Sequence, residues 1–376
     1  MPHLCLDDFD FGVVLGVGTV GTIYDVQVRQ EGMVSPAAQQ LRGEDLALKK
    51  LHPAVCQDPL ITARFRREML ILERLQHPNI VSYFGGGNED GQLFYVMERV
   101  DGGTVKELLE SSGPLSWPVV VDIARQICSA LQCAHNHGVI HRDLKPGNLF
   151  LTRDARVKLG DFGIARDLHN TGLTNQGLTV GTHAYMAPEQ ITGDSTLSGK
   201  ADLYAMGCCL FEMLTNRKVF LGENFAQLFE QHLRSQPPLI RDLVGDSPEE
   251  LSDIIGQCLA KSPEDRPFNA RAIQGVMLQI GEKYGLAVPA TGLGQLATAG
   301  AAAGTPASSG DSGGTTRSGD VAAANVTEKG RMLLEKQIEA RFGGRAKPPV
   351  SWVKLAVLVA AIGLVILSTL LLDLGT

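Results

Sequence analysis

The eight residues HRDLKPGN at positions 141–148, with DFG beginning at Asp161, constrain this chain more than any other stretch. They supply Asp143, Lys145 and Asn148 within six residues, and Asp161 follows on a neighbouring loop. The side chains suit different tasks. Asp143 can accept a proton from an attacking hydroxyl, and Lys145 can neutralise a phosphate in transfer. Asn148 and Asp161 offer the oxygen ligands that a hard magnesium ion takes. Any fold for this chain has to hold both loops.

A second group of residues lies earlier. Gly16, Gly18 and Gly21 in LGVGTVGTIYDV form a G-x-G-x-x-G run whose missing Cβ atoms let backbone amides approach phosphates. A dinucleotide fold needs a helix to open at these glycines, whereas Thr22 to Val28 is β-rich and alternating. The context is therefore strand, loop, strand, which fits a flap over a nucleotide or a plain glycine-rich hairpin. In LALKKL, period-two alternation puts Ala47 and Lys49 on one face and Leu46 and Leu48 on the other. Glu68, in the helix-like FRREMLILERL, is a carboxylate that can pair with Lys49 and aim it at phosphates; a surface glutamate is the alternative.

With these motifs in order, the chain resembles the bacterial eukaryotic-like serine/threonine protein kinases over about residues 9–280. The matching residues are the glycine loop, Lys49, Glu68, HRDLKPGN, DFG, GTHAYMAPE ending at Glu189, Asp202 in ADLYAMG and Arg266 in DRP. The resemblance implies an α+β, bilobal protein-kinase fold, with a small β-rich N-lobe (about 9–97), a larger helical C-lobe (about 103–280) and ATP between them. It implies ATP with Mg2+, or Mn2+ in its place, as cofactors. It also implies that Ile23 and Ala47 roof the adenine, Phe150 lies below it and Met97 is the gatekeeper before the hinge. Leu72, His141 and Phe162 match the internal stack that joins the lobes, and Glu189 with Arg266 matches a buried ion pair.

Substrate class follows from the same resemblance, because Lys145 and Thr182 match the serine/threonine branch, with Thr182 beside the acceptor hydroxyl. His183 departs from the proline common after that threonine, which leaves the preference at this loop open. Arg142 matches an arginine that pairs with a phosphorylated activation-loop residue, for which Thr171, Thr174 and Thr179 are the candidates. Arg29 to Glu44 is an added stretch between early strands, expected as a surface loop. The competing class is a catalytically silent ATP-binding scaffold, but such chains usually lack one of Lys49, Asp143 or Asp161, and all are present.

Length and composition agree. At roughly 150 residues per domain, 376 residues allow two to three domain-sized units, and 44% apolar with 20% charged residues is ordinary globular composition. A net charge of −7 argues against nucleic acid as a partner. The seven cysteines are odd in number and never spaced C-x-x-C, which indicates neither a disulfide framework nor zinc and suits a reducing compartment. Cys208 and Cys209 read as packing residues in an apolar helix. GDSTLSGK at 193–200 fails as a Walker loop, having five residues between its glycines and Ala201 where Ser or Thr is needed.

Beyond the kinase-like region the composition shifts. Residues 287–326 hold eleven Ala, eight Gly and three charges, which reads as a disordered Ala/Gly/Ser-rich linker. As a flexible tether of 40 residues its typical reach is about 35 Å. Residues 327–354 form a basic juxtamembrane segment with seven Lys/Arg against three Glu, in which Leu334, Ile338 and Phe342 stand at helical spacing. A short amphipathic helix and a solvated spacer both fit it. Residues 355–372 are uncharged throughout, about 27 Å long as a helix, and are expected to be a transmembrane helix. Trp352 and Lys354 flank it, and the positive-inside rule puts the N-terminal bulk in the cytoplasm of a single-pass cell-membrane protein, its short tail across the bilayer. The alternative is a buried core helix. Expected partners are proteins with Ser/Thr acceptors, the membrane, and a second copy of the chain for trans-autophosphorylation.

Overall fold

The computed structural model describes residues 4–18, 20–57, 65, 69, 72–162, 183–194, 197–286 and 328–342. The described residues fall into two compact units, one built from residues up to Arg74 with Ser82–Arg99, the other from Leu75–Val81 and Val100–Arg341.

The first unit is an antiparallel sheet of β1 (Phe9–Val17), β2 (Gly21–Val28), β3 (Leu46–Leu51), β4 (Tyr83–Glu89) and β5 (Gln92–Glu98), ordered β1-β2-β3-β5-β4. Alternation along the strands separates two faces. Leu46, Leu48, Phe94 and Val96 pack with Leu4, Phe9, Val26, Val28, Val34 and Ala38 into one apolar cluster. The register places Ala47 opposite Met97 and Lys49 opposite Tyr95. Helical residues Phe65, Met69 and Leu72 are buried in this unit, and Glu68 between them lies outside the described residues.

The stretch 29–44 is mostly exposed, as expected of a surface segment, but it is not all loop. Its short helix α1 (Pro36–Gln39) covers the sheet, with Val34 and Ala38 inside the apolar cluster. The buried carboxylate of Asp8 anchors it, accepting from the Ser35 amide at 2.7 Å and the Ser35 hydroxyl at 2.8 Å. Ser35 in turn caps the helix by accepting from Ala38 N. A second one-turn helix, α2 (Pro53–Cys56), follows β3.

The second unit is helical: α3 (Val105–Ser112), α4 (Trp117–Asn136), α5 (Pro188–Thr192), α6 (Lys200–Thr215), α7 (Phe225–Arg234), α8 (Ile240–Leu243), α9 (Glu249–Cys258), α10 (Ala270–Lys283) and α11 (Glu328–Phe342), with the hairpin β6 (Leu149–Leu151) and β7 (Val157–Leu159). Helix α4 is the axis, burying Val119, Val120, Ile123, Ile127 and Leu131. Helix α6 is apolar almost all round and nearly wholly buried, as such a pattern requires; Cys208 and Cys209 are packing residues there.

Packing continues past residue 280 to Leu286, and residues 328–342 form a helix with Leu334 and Ile338 buried in the second unit, so this stretch is not a solvated spacer. Among the described residues no helix is long and apolar enough to cross a membrane. The expected span 355–372, the linker 287–326 and the segment 343–354 lie outside them.

Candidate active site

Asp202, at the start of α6, organises the catalytic loop. Its carboxylate, 1% exposed, accepts from the main-chain amides of His141 and Arg142, both at 2.8 Å, and meets His135 Nε2 at 2.8 Å. Burial alone would raise the Asp202 carboxyl; the His135 hydrogen bond and charge and the backbone donor outweigh it and hold the group below the usual carboxylate range. The peptides it grips are the ones that need support, since Arg142 sits at φ 65°, an unfavourable region for a side chain with Cβ. Gln190 Nε2 donates to the Arg142 carbonyl at 3.1 Å from the other side.

On this pinned backbone Asp143 projects its carboxylate. Lys145 Nζ donates to Asp143 Oδ2 at 2.7 Å, and the Asn148 amide nitrogen donates to the Asp143 carbonyl at 2.8 Å and to Oδ2 at 3.2 Å. With its nitrogen so committed, Asn148 has Oδ1 left with which to ligate a cation. His141 is buried and bridges to the next loop. Asp143 N donates to its Nδ1 at 3.3 Å, so Nε2 carries the proton and donates to the Gly160 carbonyl at 3.0 Å. Burial pushes the His141 pKa down, in keeping with a neutral ring. The Phe162 ring lies 4.7 Å from that of His141, and Asp161 between Gly160 and Phe162 takes φ 54°. An amide oxygen and a carboxylate on two pinned loops are a sparse oxygen set of the kind magnesium shares with phosphates, so the residues fit that ion.

Phe150 lies in β6, bridged to Thr104. In the first unit, Lys49 pairs across the sheet with Ile23 and Tyr95, its ammonium 5.9 Å from the Tyr95 ring centre. The three glycines differ. A Cβ on Gly21 would meet the Lys50 carbonyl oxygen at 2.4 Å, so close approach of β2 to β3 alone demands glycine there. Gly16 would meet nothing within 4 Å and Gly18 only the Gly21 carbonyl at 3.6 Å, so packing within the chain does not explain either. These two are the glycines on which a ligand reading rests.

Arg266 and Glu189 form a buried fork, with Nη1 to Oε1 at 2.6 Å and Nη2 to Oε2 at 2.8 Å. Nε and the second protons of both Nη groups go to the carbonyls of Ala260, Lys200 and Lys261, so all five donors are used. Sequence reading singled out His141, Phe162, Glu189 and Arg266, but gave Asp202 no task and missed His135 and Gln190, whose partners are far away in the chain. The expected Thr171, Thr174, Thr179, Thr182 and Glu68 lie outside the described residues.

Residues 9–276 match the protein kinase domain family. The serine/threonine-protein kinase PknB of Mycolicibacterium smegmatis is 33% identical over 288 residues, 75% of this chain and 44% of that protein. The serine/threonine-protein kinase PknD of Mycobacterium tuberculosis is 36% identical over 258 residues, 68% of this chain and 37% of that one. The chain thus spans less than half the length of these relatives. Among solved structures, a point mutant of the Mycobacterium tuberculosis PknI kinase domain is similar with a TM-score of 0.56 at 27% identity, covering 74% of this chain and 98% of that one. Rad53 1–466 in complex with AMP-PNP gives 0.58 at 28% identity, covering 71% and 64%.

Proposed function

Because the chain belongs to the protein kinase family, with the two-lobed fold of a β-sheet N-lobe and a helical C-lobe, we propose that it transfers the γ-phosphoryl group of ATP to serine and threonine hydroxyls of proteins. The observation that carries this reading is the Asp143 carboxylate, held 2.7 Å from Lys145 Nζ on a loop whose peptides Asp202 fixes. Asp143 takes the proton of the acceptor hydroxyl as its oxygen bonds to the γ-phosphorus. The bond to the β-phosphate oxygen breaks, and its electron pair leaves with ADP. Lys145 neutralises charge on the moving group, and catalysis is mostly positioning and electrostatics.

Asn148 and Asp161 hold Mg2+, or Mn2+ in its place; such an ion, when bound, neutralises phosphate charge. Lys49, with Glu68 as its partner, orients the phosphates, and the backbone at Gly16, Gly18 and Gly21 covers them. Ile23, Ala47, Met97 and Phe150 enclose the adenine. Thr182 lies beside the acceptor, and phosphate on Thr171, Thr174 or Thr179, placed by a second copy of the chain, orders the loop through Arg142. The uncharged run 355–372 with its basic N-terminal flank supports a single membrane anchor with the kinase region cytoplasmic. No replacement at Lys49, Asp143 or Asp161 favours a silent scaffold.

The test is transfer of labelled phosphate from ATP with magnesium by the full chain beside Lys49→Ala and Asp143→Asn. Label on serine or threonine that drops at least about a hundredfold in both variants is expected, and mapping it identifies the modified loop threonine. Equal labelling by the variants, or none by the parent chain despite ATP binding, rejects the proposal.

A further inference from the structure

Helix α11 is seated too specifically to be a passing contact. Gly330 meets the backbone of α4 so closely that a Cβ there would lie 2.1 Å from the Pro118 carbonyl oxygen and 3.1 Å from Asp122 Cβ. Glycine inside a helix is unfavourable by about 1 kcal/mol against alanine, and this approach is what requires it. Leu334 and Ile338 follow on the same face at successive four-residue steps, 0% and 1% exposed. Lys329 N donates to the Leu286 carbonyl at 2.9 Å, so the chain returns beside the point where it left.

The polar contacts of α11 reach the hairpin that joins the two magnesium-binding positions. Strand β6 begins directly after Asn148 and β7 ends two residues before Asp161. In the turn between them, the Asp154 carbonyl accepts from Arg331 Nη2 at 3.1 Å and Nε at 3.3 Å, and the Asp154 carboxylate lies 3.8 Å from Nη2. That carboxylate also takes Thr152 Oγ1 at 2.5 Å and Arg156 Nε at 3.0 Å, which closes the turn. A second route starts at Asp122, the residue facing Gly330. Its Oδ2 accepts from Gln126 Nε2 at 2.9 Å, and Gln126 bonds Ala155 O at 3.2 Å and Val157 N at 2.8 Å, both in the hairpin. At the far end, Arg341 Nη1 donates to Glu107 O at 2.6 Å in α3, and Glu107 caps that helix through Thr104, the residue bridged to Phe150.

We propose that α11 is a brace docked in cis on the catalytic unit, and that Arg331 is a positioning residue acting through the β6–β7 turn on Asn148 and Asp161. This rests on the kinase reading for what the two positions bind. Docking holds the hairpin, and release of the helix loosens the metal site without removing any ligand.

The test uses the full chain with Leu334→Asp, which puts a charge into the buried seat, and with Arg331→Ala and Arg331→Lys. Two readouts are taken: amide hydrogen exchange over 149–159 and 328–342, and the Mg2+ concentration for half-maximal phosphate transfer. Leu334→Asp should speed exchange in both segments and raise the Mg2+ requirement about two- to fivefold, the scale of an exposed ion pair with supporting bonds. Arg331→Ala should speed exchange over 149–159 and raise the Mg2+ requirement while 328–342 stays protected, and Arg331→Lys should recover part of each shift. Fast exchange at 328–342 in Leu334→Asp with an unchanged hairpin and Mg2+ requirement overturns the coupling, and unprotected 328–342 in the parent chain overturns the docking. Absence of transfer by the parent chain defeats the kinase reading alone, because hairpin exchange still reads the brace.

Discussion

His232 and His141 show what burial does to a single titrating side chain. His232 is 0% exposed, with its Nδ1 2.9 Å from the Tyr204 hydroxyl and Phe220 beside it. Burial, then the nearby Lys261 charge, pushes its pKa down to about 4. An unfolded histidine titrates near 6.5, so above that pH both states are neutral and the full stability is present. As pH falls from about 6.5 toward 4 the unfolded state takes up the proton first, and stability is lost, up to about 3 kcal/mol. His141, lowered by burial, contributes with the same sign. His232→Gln should therefore flatten the fall of the urea midpoint between pH 7 and pH 4.5; parallel curves for variant and parent would sink the assignment. The residues best read from sequence are those whose partners are local: Asp143, Lys145 and Asn148 find one another within six positions. Asp202, His135 and Gln190 support the same loop from elsewhere in the chain, and no local spacing announces them.

Between elements, the Glu189–Arg266 fork ties the first turn of α5 to the start of α6 and to the segment just after α9 through carbonyls at Lys200, Ala260 and Lys261. A fixed guanidinium fork is what lets one side chain do this, and lysine lacks it. Arg266→Ala leaves a carboxylate buried with its partner gone and should destabilise the chain by about 3–5 kcal/mol, read as a lowered urea midpoint. Replacing both partners, as Glu189→Leu with Arg266→Met, should restore much of that loss, since neither charge is then stranded. A double variant no more stable than Arg266→Ala would show instead that the carbonyl bonds carry the effect. At this scale strands were legible where alternation was clean, as in LALKKL. The segment 29–44 was not, because Gly, Pro, Ser and Gln hide a cover whose two buried residues, Val34 and Ala38, are held by Asp8 from another part of the chain.

For the whole molecule, α11 decides how far the catalytic unit ranges once residues 355–372 are taken as an anchor. The spacing of Leu334 and Ile338 left a helix and a solvated spacer both open, because the seat on Pro118 and Asp122 that selects the helix is distant in sequence, and the Ala/Gly-rich stretch before it read as the tether. Lys329 bonded to Leu286 seats the start of α11 beside the end of the kinase-like region, so under the proposed anchor residues 287–327 do not set the distance of the second unit from the bilayer. That distance belongs to residues 343–354, which at about 3.5 Å each span at most roughly 40 Å when fully extended. Under the proposed anchor, a substrate held at the membrane surface therefore meets a kinase region kept close to it rather than one exploring a wide shell. Deleting residues 300–320 should leave the energy transfer between a dye on α10 and an acceptor lipid unchanged. Inserting about twelve Gly/Ser residues between Phe342 and Leu355 should weaken it, because the flexible span grows with the square root of its length. If the deletion changes the transfer while the insertion does not, the long stretch is the tether after all and α11 does not hold in the full chain.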